Sequence, residues 1–479
     1  MAFPTILSAI VFAAIGCAGD PDFVRVVVRG TDPSLTTSPL DLQVHLAGGG
    51  RGSDFSYQAQ WRQGASTDVA DVSDFTVSFP EGAPKDVDVR VSTRPSGAAV
   101  DWGGDVHVTL PGDGRTLSLS LARGESAVSS DVSTQDGDLQ SLAAFGTEMV
   151  LAWPSKAGRV AIIPINPDRP APARPAEYGA AASKIRVSAR PSGDFTSELF
   201  AASWVEEGAR PMLKTRTRTS EIDLPPVPIG DVTRATDLHV AVARRTLKPA
   251  LASAVLVDDR VLVHTHDEAG GTLSGPFEGP ELASVNRIAG LVVTPEETVT
   301  LAVNGNGARL VQLSTVDGRV VHAEAIEGRA VAIGLNADGS RILVAAAVGV
   351  GDDAKLKLET FSVRKPTRIS SSVVAPFSFV PGVPESRVSL AECAIAWPAP
   401  AADGSGFTDV VYQELEDGRP VGSPHFANVT RSRHHFAPTV VCLSASRVFL
   451  SMLEAPQPSR SDASLMLRRL PTGERQERP

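Results

Sequence analysis

The chain has 479 residues, 42% hydrophobic and 21% charged, with a formal net charge of −10. That acidity weighs against a nucleic-acid binder, which presents a basic face, and three cysteines without a CxxC pair provide neither a zinc ribbon nor a thioredoxin-like site. At ~150 residues per domain the length predicts two or three units, and the 41 Gly and 36 Pro predict many turns and few long helices.

The chain opens with an apolar run from Phe3 to Ile15, too short for a mature membrane span but of signal-peptide length. It ends in Ala14-Ile15-Gly16-Cys17. These residues resemble the lipobox of bacterial lipoproteins, in which small residues precede a cysteine that is acylated and becomes the new N-terminus. The resemblance implies a signal peptide over 1–16, lipidation at Cys17 and a tether over 17–22. The membrane is then a partner, held through an N-terminal lipid. Ala18, rather than Asp, follows the cysteine. By the sorting pattern of Gram-negative lipoproteins this implies the outer membrane. The segment departs from the usual pattern in having no Lys or Arg before its apolar run.

Residues 23–124 alternate with period two: Val24, Val26 and Val28; Val87, Val89 and Val91; Val106, Val108 and Leu110; Leu117, Leu119 and Leu121. Such alternation marks half-buried strands. With 41–46, 55–61 and 74–79, and with turns such as HLAGGGRGSD and LPGDGR between them, about seven strands fit ~100 residues, which predicts an Ig-like β-sandwich.

From 125 to 470 a strand–turn–strand unit recurs. Its centres fall near Val150, Phe200, Ala254, Thr300, Leu343, Ile395 and Phe449, about 43 to 54 residues apart. That is the length of a four-stranded propeller blade. The fold class expected is therefore all-β: an Ig-like sandwich, a seven-bladed β-propeller over 125–470 (six or eight blades being the alternatives) and a disordered tail over 471–479. LNADGSRILVA (335–345) resembles the DGxxL repeats of periplasmic TolB-like propellers, and the AW and SW pairs at 152–153, 203–204 and 396–397 resemble strand ends in other degenerate propellers. The segment SAVSSDVS (126–133) is placed to supply the missing outer strand of the last blade and so remove an open edge.

No GxSxG, HExxH, Walker A or EF-hand pattern occurs, so no cofactor or metal is expected. An arginine recurs where each innermost strand should begin: Arg186, Arg234, Arg287, Arg329, Arg387 and Arg433. In a propeller, equivalent positions ring the central channel, where guanidinium groups can hold carboxylates or phosphates. The structural alternative is that each pairs with an acid or a carbonyl. His434, beside Arg433, is expected near the same mouth. His264 and His266 share a strand face, either as two metal ligands without a third or as a surface strand end. Cys393 and Cys442 can form a disulfide between neighbouring blades or remain two buried thiols. These features predict a non-catalytic binding or scaffold propeller with a protein or glycan partner in the envelope. A hydrolase or lyase acting on glycans or peptides at the channel mouth is the alternative.

Overall fold

A computed structural model of the protein describes residues 8–9, 22–30, 35, 40–59, 61, 71–79, 82–95, 101–112, 114–134, 140–167, 175–179, 183–190, 198–206, 208–217, 225–244, 248–377, 387–444, 447–456 and 462–471. Cys17 and the tail beyond 471 lie outside them.

The first unit is one sheet. Its strand order is Ser8–Ala9, Asp71–Phe79, Asp22–Gly30, Thr116–Arg123, Trp102–Thr109, Asp86–Thr93, Asp41–Gly48 and Arg51–Gln58. The alternating valines and leucines close on a single core that includes Val24, Val26, Leu42, Val44, Val87, Val89 and Leu121. The Ig-like sandwich expected here is not shown. Asp22–Gly30 and Thr116–Arg123 run parallel. Thr116–Arg123 then meets Trp102–Thr109 only at its last two residues, Ala122 and Arg123. The sheet thus turns a corner and forms half a barrel instead of splitting in two. Alternation reports that each strand has one buried face; it does not report which strands are neighbours.

The rest of the chain is a seven-bladed β-propeller, each blade a four-stranded antiparallel sheet. The innermost strands of blades 1 to 7 are Ser141–Phe145, Ser183–Ala189, Ala235–Val242, Val285–Val293, Arg329–Leu335, Ser389–Leu390 and His434–Ser444. Second strands such as Leu199–Glu206 and Thr298–Gly305 are almost wholly buried, as expected of sheets covered on both faces by neighbouring blades. Blade 7 takes its outer strand from far upstream. Ser126–Ser129 pairs antiparallel with Ser464–Leu470, with Ala127 opposite Met466 and Ser126 opposite Leu467. The ring is closed by the segment that leaves the first sheet.

Neighbouring innermost strands are not hydrogen-bonded as a sheet, so side chains bridge them. Ser141 Oγ accepts from Val187 N, Ser188 Oγ from Val242 N, and Ser389 Oγ from Val440 N, at 2.9, 3.0 and 3.0 Å. Asp237 Oδ2 accepts from Ile288 N at 3.1 Å. Asn304, on the second strand of blade 4, takes both the N–H and the carbonyl of Ala330 in the innermost strand of blade 5. A disulfide between Cys393 and Cys442 adds a covalent tie from blade 6 to the innermost strand of blade 7.

The first sheet packs on blades 6 and 7 through a largely polar joint. The Arg90 guanidinium lies 3.5 Å from the centroid of the Phe426 ring and pairs with buried Asp409 at 3.1 Å. Asp105 accepts from Phe426 N and contacts His425 Nδ1 at 3.1 Å. Arg468, 3% exposed, donates to the carbonyls of Ala427, Phe426, Gly103 and Arg123, and so binds both units. Glu125 accepts from Val429 N and Thr430 N at 3.0 and 2.9 Å. Burial alone would raise its pKa; Arg468, His435 and the two N–H groups more than offset this and hold the carboxyl below its usual range.

Two stability outcomes follow from these ties. Replacing Cys442 with Ser should lower unfolding stability by roughly 2–4 kcal/mol, read as a shift in denaturant midpoint under non-reducing conditions. Arg468→Met leaves Glu125 buried without its cation and should cost about 3–5 kcal/mol. An unchanged melting temperature for Arg468→Met would show that the joint does not need the ion.

Candidate functional site at the channel mouth

Every innermost strand runs away from the same face of the ring, so residues at their starts gather around one mouth of the central channel. All six recurring arginines stand at such starts. Arg186 and Arg287 lie within the innermost strands of blades 2 and 4, Arg329 opens that of blade 5, and Arg234, Arg387 and Arg433 come one or two residues before those of blades 3, 6 and 7. Their fates then divide. Arg234 is exposed, with a left-handed backbone (φ 65°). Arg433 is 44% exposed and pairs with Glu454 of its own blade at 3.1 Å. Arg186, Arg287, Arg329 and Arg387 are partly buried around the channel.

These four come from blades 2, 4, 5 and 6. Arg186 donates to the carbonyl of Ile185 at 2.8 Å and stands 3.8 Å from Asp237 Oδ1. Arg387 reaches past blade 7 to the carbonyl of Gln140 before blade 1, at 2.6 Å. Gln140 in turn donates to Ala437 O of blade 7, so this sector of the mouth is occupied. Burial and the charge of Arg329 bring the Arg287 guanidinium down to about 10, with relief from Asp237 and a further push from Arg186. Arg287 stays charged at neutral pH, but the net balance of its surroundings runs against that charge.

Asp237 and His239 of blade 3 complete the cluster. The carboxylate of Asp237 already accepts the N–H groups of Leu238 and Ile288. His239 Nε2 lies 3.7 Å from Asp237 Oδ1, beyond hydrogen-bond range, and has no hydrogen-bond partner. Burial and the field of Arg186, opposed by Asp237 and reinforced by Arg287 and Arg387, push the imidazole down to about 3. The ring is therefore neutral at physiological pH. Across from it stands Gly290 (φ 153°), where a Cβ would come 2.7 Å from Ile333 Cγ2 and 3.9 Å from His239 Nδ1.

The other end of the channel looks different. Arg244, just past the innermost strand of blade 3, donates to the carbonyls of Leu335, Asn336 and Ala337 at the end of the innermost strand of blade 5. It also pairs with Glu392 of blade 6 at 2.8 Å. One side chain thus straps three blades together, with its charge met by a carboxylate.

Three histidine expectations change. His434 does not join the mouth: it contacts Phe407 and Thr408 of blade 6, on the side of the joint. Its neighbour points the opposite way, as extended backbone requires. His435 is fully buried, 3.2 Å from Glu454 Oε2 and 3.9 Å from Glu125 Oε1. Among the described residues, this trio alone brings three metal-ligating side chains within 4.8 Å of one another. Its carboxylates are already served by Arg433, by the charge of Arg468 and by two backbone N–H groups, which makes it an ion network of the joint. His264 and His266 are not a surface strand end; they are 2% and 0% exposed. His266 bonds to Ser253 at 2.8 Å. Asp267 caps its own turn and Glu268 pairs with Arg190.

Asp237 and His239 were not singled out from the sequence, although the alternation of ATDLHVAV carries their signal. Polar residues two apart on an innermost strand must face the channel if the apolar ones between them face the blade.

No family model matches the sequence, and no curated protein matches it. Among solved structures, the β-propeller domain of Cps50 (Swd1) from Myceliophteria thermophila is 13% identical, with a TM-score of 0.43 over 69% of this chain and 95% of that one. A chain of the mitotic checkpoint complex is 10% identical, with a TM-score of 0.45 over 72% of this chain and 90% of that one.

The state of His239 can be measured. Its imidazole resonances should not titrate between pH 8 and 5, whereas an exposed histidine moves through its ordinary 6.5. In that range the unfolded chain takes up a proton that the folded chain refuses. His239 therefore makes the fold less stable as pH falls below 6.5, and His239→Gln should flatten that part of the stability profile.

Proposed function

We propose that this chain is a non-catalytic binding propeller, displayed on the outer membrane by a lipid on Cys17, that holds an envelope protein or glycan at the mouth of its central channel. The observation that carries the binding role is the convergence of Arg186, Arg287, Arg329 and Arg387 from four blades beside His239. Side chains from four separate blades meet there on a rigid ring, the kind of pre-formed concave site that ligands use. The Cys393–Cys442 disulfide supports export, because such bonds persist in oxidising compartments. The strand Asp22–Gly30 follows soon after Cys17 in the chain, so a lipid at Cys17 would hold the first sheet close to the bilayer. The joint would then fix the ring relative to that sheet. The small unit would serve as a rigid bracket instead of a loose spacer.

Two measurements test this. Cys17→Ala should move the protein from the detergent-extractable membrane fraction to the soluble one; a wild-type chain already soluble overturns the anchor. The full chain in detergent should retain one stoichiometric partner from envelope extract, and retention of none overturns the binding role.

A further inference from the structure

We propose that the joint between the first sheet and the ring holds a single small anion of chloride size, in a recess lined by Arg90 of the first sheet and by Arg431 and Arg468 of the ring. The site lies apart from the channel mouth and does not depend on the ligand assigned there.

The place comes first. Arg90 stands in the strand Asp86–Thr93, Arg431 in the segment that leads into the innermost strand of blade 7, and Arg468 in Ser464–Leu470 of that blade. With Gly103, Asp105, Phe426 and Asn428 they line one recess, partly open to solvent, whose interior has room for little more than one water-sized particle. That size excludes a phosphate or a sugar and leaves a monatomic ion or a water. The walls come from both units, so the recess is complete only when the two are docked.

The donors come second. Arg90 Nη1 pairs with Asp409, and the guanidinium lies against the Phe426 ring, which fixes its plane. Arg90 Nη2 is left buried with no hydrogen-bond partner. A buried donor of this kind costs stability unless something meets it. Arg431 gives its own Nη2 to Asp54, a carboxylate 64% exposed, in a pair that water screens. Its Nε and Nη1 stay uncommitted.

The acceptors decide between an ion and a water. Asp105 takes the N–H of Phe426 and meets His425, Asn428 Oδ1 takes the N–H of Val410, and the carbonyls of Gly103 and Phe426 take Arg468. A water seated beside Arg90 Nη2 needs acceptors for its own hydrogens, and these are engaged. An anion needs donors alone, and a charged acceptor makes the stronger bond to a guanidinium. An ion there faces a guanidinium from each unit, and so adds a tie across the joint.

The test reads the unfolding temperature of the full chain in detergent while sodium chloride replaces sodium gluconate at constant ionic strength. Gluconate is too large for the recess. Chloride should raise the midpoint in a saturable way, as linkage to a site present only in the folded state requires. Arg90→Lys keeps a charge opposite Asp409 and removes Nη2; Arg431→Gln removes the second guanidinium. Each should weaken the apparent chloride affinity by about tenfold, the loss of one charge-assisted hydrogen bond. Arg25→Gln, which breaks an exposed pair with Asp74 elsewhere in the first sheet, should leave the response unchanged. If Arg90→Lys fails to fold by circular dichroism, Arg431→Gln, whose partner lies at the surface, decides alone. A wild-type midpoint that ignores the exchange of gluconate for chloride means that water fills the recess, and overturns the inference. An undiminished chloride response in folded Arg431→Gln overturns it as well.

Discussion

The geometry depends on side chains that carry hydrogen bonds between innermost strands. At the centre of a propeller these strands converge but cannot pair, so their backbone groups would be left unmet in a buried place. Ser141, Ser188 and Ser389 each accept one N–H from the next blade, Asp237 does the same with a carboxylate, and Asn304, on the second strand of blade 4, serves both groups of Ala330 in blade 5. Each of these bridges also fixes the rotation of one blade against the next. The positions of Arg186, Arg287, Arg329 and Arg387 around the channel follow from those rotations. Asp237 belongs to both systems: it holds blade 4 in place and is the acid nearest to Arg186 and His239.

The ring was legible in the sequence because a blade is a local object. Two strands and a turn leave a trace every 43 to 54 residues, and seven such traces matched seven sheets. The closing strand at 126–133 was legible for a related reason: a last blade lacking a strand needs one from elsewhere. The recurrence of arginine was visible as a repeat position. What decides each arginine's role was not visible, because Glu454 beside Arg433 comes from another strand of its blade and Gln140 beside Arg387 from another blade. The first unit was misjudged for the same physical reason. Alternation along Val24, Val26 and Val28 fixes a buried face, whereas the parallel neighbour Thr116–Arg123 is a matter of topology. The joint left no signal at all, since Arg468, Glu125 and Arg90 are single charges whose partners lie in the other unit.

Arginine is used in this chain in two settings. Arg190, Arg244 and Arg468 are structural fasteners: Arg190 ties blade 2 to Ala243 O and Glu268, Arg244 straps the far end, and Arg468 fixes the two units. Each spends its donors on carbonyls left over at strand ends, which a planar, permanently charged group meets well. At the mouth the same residue is gathered from four blades around Asp237 and His239.

Ring closure also sets a clock. Ser126–Ser129 is synthesised long before its partners Leu465, Met466 and Leu467. At roughly 5–20 residues per second the early strand waits many seconds for its mate. During that interval the circle is an open arc with an unpaired edge at each end. Contacts so distant along the chain are slow to form. Blades 1 to 6 are each built from strands consecutive in the chain, so only the closure of the circle has to wait for the last blade.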